Sequence, residues 1–265
     1  MSESKLDVES PMASVKVPVV VVVGILAGFL SGLFGVGGGI LIVPGLVLVA
    51  HMDQRMAHGT SLAGVLPIAA SSMVTYWAHD HIDWVVVLFL AIGAVAGAVL
   101  GTKLLHILPH RTLGVAFAVL LLASAARLFI ADSGTGRDNL DLAMALALIA
   151  VGVVTGILAG LLGVGGGIIM VPAMMMIFGI PPVIAKGTSL GVIIPTSIMG
   201  TWRNRTKKNV DFRAAAIVGI AGVLAAIAGG TLSARMSDTL SNVLFAVLLT
   251  IVAVRLLLQL RNEKR

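Results

Sequence analysis

Apolar residues run in long uninterrupted blocks, not in the steps of two or three and a half that mark half-buried strands and helices. Val17 to Ala50 is 34 residues without a charged side chain. As one straight helix it would reach about 50 Å, against a bilayer core of about 30 Å. Its centre, Gly35-Val36-Gly37-Gly38-Gly39, is poor helix. The block is therefore expected to break there. Leu142 to Ala185 repeats the pattern around Gly163-Val164-Gly165-Gly166-Gly167. Three ordinary spans should follow each block: Gly59–Ala78, Trp84–Thr102 and Thr112–Ile130, then Gly187–Trp202, Ala214–Ala234 and Thr239–Leu258.

The two sets of segments are copies. Gly32 to Ile40 reads GLFGVGGGI and Gly160 to Ile168 reads GLLGVGGGI, 128 residues later. At that offset Val43-Pro44 meets Val171-Pro172, Gly59-Thr60-Ser61-Leu62 meets Gly187-Thr188-Ser189-Leu190, and Asp83 meets Asp211. Pro67 meets Pro195 and Arg127 meets Arg255. The organisation read from this is a polar tail at 1–16, a membrane repeat at 17–131, a linker at 132–141, a second repeat at 142–260 and a basic tail at 261–265. The fold class is all-α and polytopic: two tandem four-segment repeats, each with a glycine-broken first segment.

Composition agrees with lipid as the solvent. Hydrophobic residues make up 58% of the 265 and charged ones only 11%, where soluble domains carry about 25%. The net charge of +6 does not point to nucleic acid, because the basic residues lie between and after the apolar blocks, where they orient membrane segments. There is no cysteine, which excludes disulfides and thiolate metal sites.

The topology has two solutions. If each copy crosses the membrane an even number of times, the copies are parallel; if the broken segment only dips in and returns, each copy crosses three times and the copies are inverted. Lys and Arg divide 13 against 5 in the first and 14 against 4 in the second, so both put the termini in the cytoplasm. Inversion is the preferred expectation, since glycine-interrupted segments at matching positions of two halves are its usual sign.

The breaks are also the first candidate site. A dinucleotide fingerprint would need glycine where Ile40 and Ile168 stand, and a phosphate loop would need Gly-Lys-Thr where the chain has Lys186-Gly187-Thr188. In a membrane, Gly37, Gly38 and Gly39, with Gly165, Gly166 and Gly167, would expose backbone N–H groups at the positive ends of restarting half-helices. Close helix packing is the competing role. Thr60, Ser61, Thr188 and Ser189 offer hydroxyls to an oxyanion, or cap a helix. Lys186 would attract an anion or snorkel to water. Its counterpart His58 could couple to protons or be a wetted loop residue. Gly24, Gly28 and Gly32, Gly93, Gly97 and Gly101, and Gly152, Gly156 and Gly160 read as close-packing faces. No nucleophile–base set, cofactor motif or metal-ligand pattern stands out, so an enzyme is not expected. The expected partners are a small anion and the bilayer; the oligomeric state is not legible.

GLFGVGGGILIVP at Gly32 to Pro44, GLLGVGGGIIMVP at Gly160 to Pro172 and the two GTSL runs resemble the sulfite exporter TauE/SafE family, in order and in both copies, from about Val17 to Leu258. The resemblance implies a plasma (inner) membrane permease for sulfite, sulfoacetate or other small organosulfonates, in a family that includes exporters. Nothing in composition or spacing points to sulfur. A secondary transporter of small anions is the expectation; an anion channel or a non-transporting membrane component is the alternative.

Overall fold

The computed structural model describes residues 17–104, 115, 118–119, 121–126, 128, 141–162 and 165–262. Among them all regular structure is helical: α1 (Val17–Phe34), α2 (Gly39–Leu48), α3 (Gln54–Trp77), α4 (Trp84–Leu104), α5 (Leu142–Leu162), α6 (Gly167–Phe178), α7 (Pro182–Thr206), α8 (Phe212–Arg235) and α9 (Asp238–Asn262). The N-terminal tail, residues 132–140 of the linker and Arg127 lie outside the described residues, and the span expected at Thr112–Ile130 is described only in part.

Six of these helices are long and apolar enough to cross a membrane: α1, α4, α5, α7, α8 and α9. Their outer faces carry exposed Leu26, Leu88, Leu146, Ile220 and Leu224, the last 79% exposed. Such a surface fits hydrocarbon and not water.

Both long blocks break where the glycines predict. α1 ends at Phe34 and the 10-residue α2 starts at Gly39; α5 ends at Leu162 and the 12-residue α6 starts at Gly167. α2 does not continue α1. Gly38 lies beside Ala27 and Gly45 beside Val23, so α2 runs back along the helix it came from. Gly166 likewise lies beside Ala159 and Thr155 of α5.

The following helices begin earlier than the hydrophobic pattern suggests. α3 starts at Gln54, because the Asp53 carboxylate caps the Arg55 and Met56 N–H groups. α7 starts at Pro182, whose fixed φ suits a first helical position. The Gly-Thr-Ser-Leu runs are thus inside helices, not at their starts. α9 continues through Arg261 to Asn262, into the stretch read as tail.

Glycine faces set the helix pairing. α1 packs on α8 with Gly24 against Val218, Gly28 against Gly222 and Gly32 against Ala226, so the two run parallel. α5 packs on α4 with Gly152 against Leu90, Gly156 against Ala94 and Gly160 against Ala98, again parallel. Each pair in the second set lies at the first set's positions shifted by 128. α3 and α7 cross antiparallel: Tyr76 touches Gly187 near one end, and Leu62 touches Gly200 near the other. One end of the stack therefore holds Asp53 and the 207–211 turn, where Asn209 meets Gly59; the other holds the 78–83 turn, where His81 meets Gly187.

Candidate functional site

The glycine breaks require left-handed backbone. Gly35, Gly37 and Gly38 have φ of 68°, 77° and 74°, and Gly165 and Gly166 have 81° and 79°. Only glycine adopts these angles without strain. Gly38 and Gly166 sit at the N-cap positions of α2 and α6 and bring no side-chain cap.

The two breaks meet. Gly37 and Gly165 both press on Val65 of α3 and Ile193 of α7, themselves 128 apart, and Gly167 lies against Gly35 and Val36. α2 leaves this point toward the Asp53 end and α6 toward the His81 end, so the N-termini of both half-helices lie at one place. Among the described residues, the N–H groups of Val36 to Ile40 and of Gly165 to Ile168 donate to no backbone acceptor; donation resumes at Leu41 and Ile169. All the described residues of this stretch are buried. Buried backbone donors are nearly always paired, so this cluster of polarised N–H groups is the feature of the interior that most needs an account.

The hydroxyls divide into three kinds. Thr60 and Thr188 accept, at 3.0 Å each, the backbone N–H groups of Asp211 and Asp83. Those aspartates cap α8 and α4: Asp211 accepts from Arg213 and Ala214, Asp83 from Val85 and Val86. Ser189 donates to the Gly35 carbonyl at 2.5 Å, with the Lys186 carbonyl at 2.7 Å. The Ser61 hydroxyl, fully buried, has no hydrogen-bond partner among the described residues.

Lys186 does not snorkel. It is 1% exposed, and its Nζ donates to the Ser241 hydroxyl, with Ser233 Oγ at 3.5 Å and the Phe34 ring centroid at 5.8 Å. Phe34 in turn stacks on Phe245 at 5.4 Å. A cation within a helix stack of this kind costs about 2.5–3.5 kcal/mol to insert, and a hydrogen bond to a charged group returns about 1.5–3 kcal/mol. Ser233 and Ser241 escaped the repeat-based reading because Leu105 and Leu113 occupy their positions in the first copy; a hydroxyl present in one copy alone was the available signal. His58, the counterpart of Lys186, is half-buried on α3.

A family model for sulfite exporter TauE/SafE matches residues 4–138 and again 148–265. The chain belongs to the sulfite exporter TauE/SafE family. Its similarity extends to a probable membrane transporter protein of Bacillus subtilis (strain 168), YunE, at 29% identity over 92% of this chain and 97% of that relative. A probable membrane transporter protein of Xylella fastidiosa (strain 9a5c) is 28% identical over 87% of this chain and 91% of its own length. One from Methanocaldococcus jannaschii is 32% identical over 69% of this chain and 70% of its own length. Of the motifs that match between copies, the glycine runs build the central junction, and Thr60 and Thr188 of the Gly-Thr-Ser-Leu runs bond the turns at the two ends of the stack.

Proposed function

We propose that this family member is a secondary transporter that exports small oxyanions, with sulfite, sulfoacetate and other organosulfonates as the substrate class. The carrying observation is the junction of the two breaks, where two half-helices begin and a run of buried N–H groups gathers. Two positive helix ends aimed at one point favour a small anion. Gly37, Gly38, Gly39, Gly165, Gly166 and Gly167 would supply backbone donors, and Ser61 a hydroxyl. Lys186 would draw the anion in, and His58 is the group whose charge can change near neutral pH. Thr60, Thr188 and Ser189 act by positioning these elements. The sulfur chemistry comes from the family and not from the geometry. A liposome flux screen of sulfite, sulfate, thiosulfate, sulfoacetate, taurine and carboxylates tests the reading. Saturable uptake or release of a sulfur oxyanion is expected; flux that does not saturate would favour a channel, and no flux of any anion would overturn the proposal.

The same reading makes the copies inverted, each broken segment entering and returning on its own face, in a cell inner membrane with cytoplasmic termini. Its supports are the antiparallel crossing of α3 and α7, the return of α2 along α1, and the Lys and Arg division of 14 against 4. Because the chain has no cysteine, Asp53→Cys and Ala78→Cys, exposed positions at opposite ends of the stack, can each be probed with a membrane-impermeant maleimide. In intact cells position 78 should label, and position 53 only after the cells are opened. Labelling of position 53 from outside, with position 78 protected, would reject inversion.

A further inference from the structure

Thr60 and Thr188 close two matching clamps at opposite ends of the helix stack. At one end Thr60 Oγ1 holds the Asp211 N–H at 3.0 Å, while the Asn209 carbonyl occupies the space a side chain at Gly59 would need. At the other, Thr188 Oγ1 holds the Asp83 N–H at 3.0 Å, and the His81 carbonyl fills the space beside Gly187. Each clamp fastens a helix of one copy to the turn that starts a helix of the other. We propose that these clamps are the two gates of the transport cycle, Thr60–Asp211 for one face and Thr188–Asp83 for the other, both shut in this structure.

The placement follows the chain. Ser61 is the residue after Thr60, and Val65, at the junction of the breaks, is little more than a turn further along α3. Ser189 and Ile193 stand in the same relation to Thr188. Moving the 207–211 turn away from α3 would therefore uncover the junction from one end, and moving the 78–83 turn away from α7 would uncover it from the other.

The chemistry suits a gate better than a permanent staple. The bond is a single neutral hydrogen bond, weak in net terms. Opening does not unravel the helix behind it, because the Asp211 and Asp83 carboxylates go on capping α8 and α4 whether or not the threonine is present. The released N–H would face incoming water, so no buried donor is stranded. Gly59 and Gly187 supply the fit: with no side chain, each lets a loop carbonyl seal against the helix. This explains why glycine directly precedes threonine in both motifs. Such paired gates are what alternating access around a fixed central site needs.

The proposal rests on the transporter reading, but its test does not require the substrate. Val65→Cys, fully buried in this structure, serves as the reporter in right-side-out and inside-out vesicles treated with an impermeant maleimide. Thr60→Val should raise labelling from the Asn209 face about three- to tenfold, the effect of losing one neutral hydrogen bond, and should not raise it from the His81 face. Thr188→Val should do the reverse. Thr60→Ser, which keeps the oxygen, should hold the reference rate; Thr60→Ala replaces Thr60→Val where valine prevents folding. Equal increases from both faces with a lowered melting temperature, or no increase from either, would overturn the gates and leave two structural staples. Sided labelling together with no anion flux in liposomes would sustain the gates and overturn the transport reading alone.

Discussion

Thr60 and Thr188 make the same bond at the same distance, whereas their neighbours Ser61 and Ser189 do different things. The ends of the stack are built alike, down to which carbonyl fills which glycine's side-chain space. The middle is not. Ser189 is tied to the Gly35 carbonyl, Ser61 has no hydrogen-bond partner among the described residues, and Lys186 with its two serines is matched in the first copy by His58. On the gate proposal the two like ends are one closure per face. On the transporter proposal a single small ligand at the junction has no need of two equal shells, and there the matching residues differ.

The largest break in this comparison should come from the junction glycines. Gly38→Val puts a β-branched residue at φ 74° with its Cβ 2.7 Å from the Ala27 carbonyl. The backbone strain alone is about 1–3 kcal/mol, on top of the lost donor geometry. Anion flux should fall by about 100-fold or more, equivalent to ~2.7 kcal/mol, with the protein still inserted and running as one species. Gly166→Val should do the same, but the alanine variants should separate the copies. At Gly166 the nearest obstacle is the Met170 methyl at 3.0 Å, the far end of a flexible side chain, so Gly166→Ala should keep more flux than Gly38→Ala. Wild-type transport by both valine variants would remove the junction as the site.

Next in size is Lys186. Lys186→Met keeps the stem volume and removes the charge, so the stack loses an insertion cost while the anion loses its cation. Binding measured by calorimetry should weaken about tenfold, in the range of a charge-assisted hydrogen bond, while thermal stability holds or rises. Lys264→Met, on the far C-terminal side, is the control and should leave binding within twofold. Equal, negligible changes in both would leave Lys186 as a structural cation held by Ser233 and Ser241.

How much of this was legible beforehand depends on the kind of signal. Glycine runs advertise themselves, because no other residue tolerates consecutive positive φ angles; both breaks were visible for that reason. The packing glycines at Gly24, Gly28 and Gly32 were visible from their spacing of four. The helix starts were not, because α3 opens with Gln54, Arg55 and His58, a polar turn that hydropathy discards although Asp53 caps it well. Thr60 and Thr188 were noticed as paired hydroxyls, but hydroxyls alone do not reveal that their partners are backbone N–H groups 151 and 105 residues away. Ser233 and Ser241 were missed, since repetition was the guide and their hydroxyls occur in one copy alone.

The smallest expected effect sharpens the comparison most, because it sets the two unlike serines side by side. Among the described residues Ser61 has no hydrogen-bond partner for alanine to remove. Ser61→Ala should therefore leave the melting temperature unchanged or raise it, because a buried hydroxyl without a hydrogen bond costs free energy. If its hydroxyl donates to the bound anion, affinity should fall about three- to tenfold, the worth of one hydrogen bond. Ser189→Ala is the opposite case. It removes the donor to the Gly35 carbonyl and leaves that carbonyl buried beside the junction, at a cost of about 1–3 kcal/mol in stability. Binding should then change only as far as the Gly35 turn relaxes. Measured together by thermal unfolding and anion calorimetry, the two variants should trade places: one loses affinity and keeps stability, the other loses stability first. Matching losses in both quantities for both variants would mean that the copies hold the anion equally, and that the divergence at 61 and 189 has no bearing on the substrate.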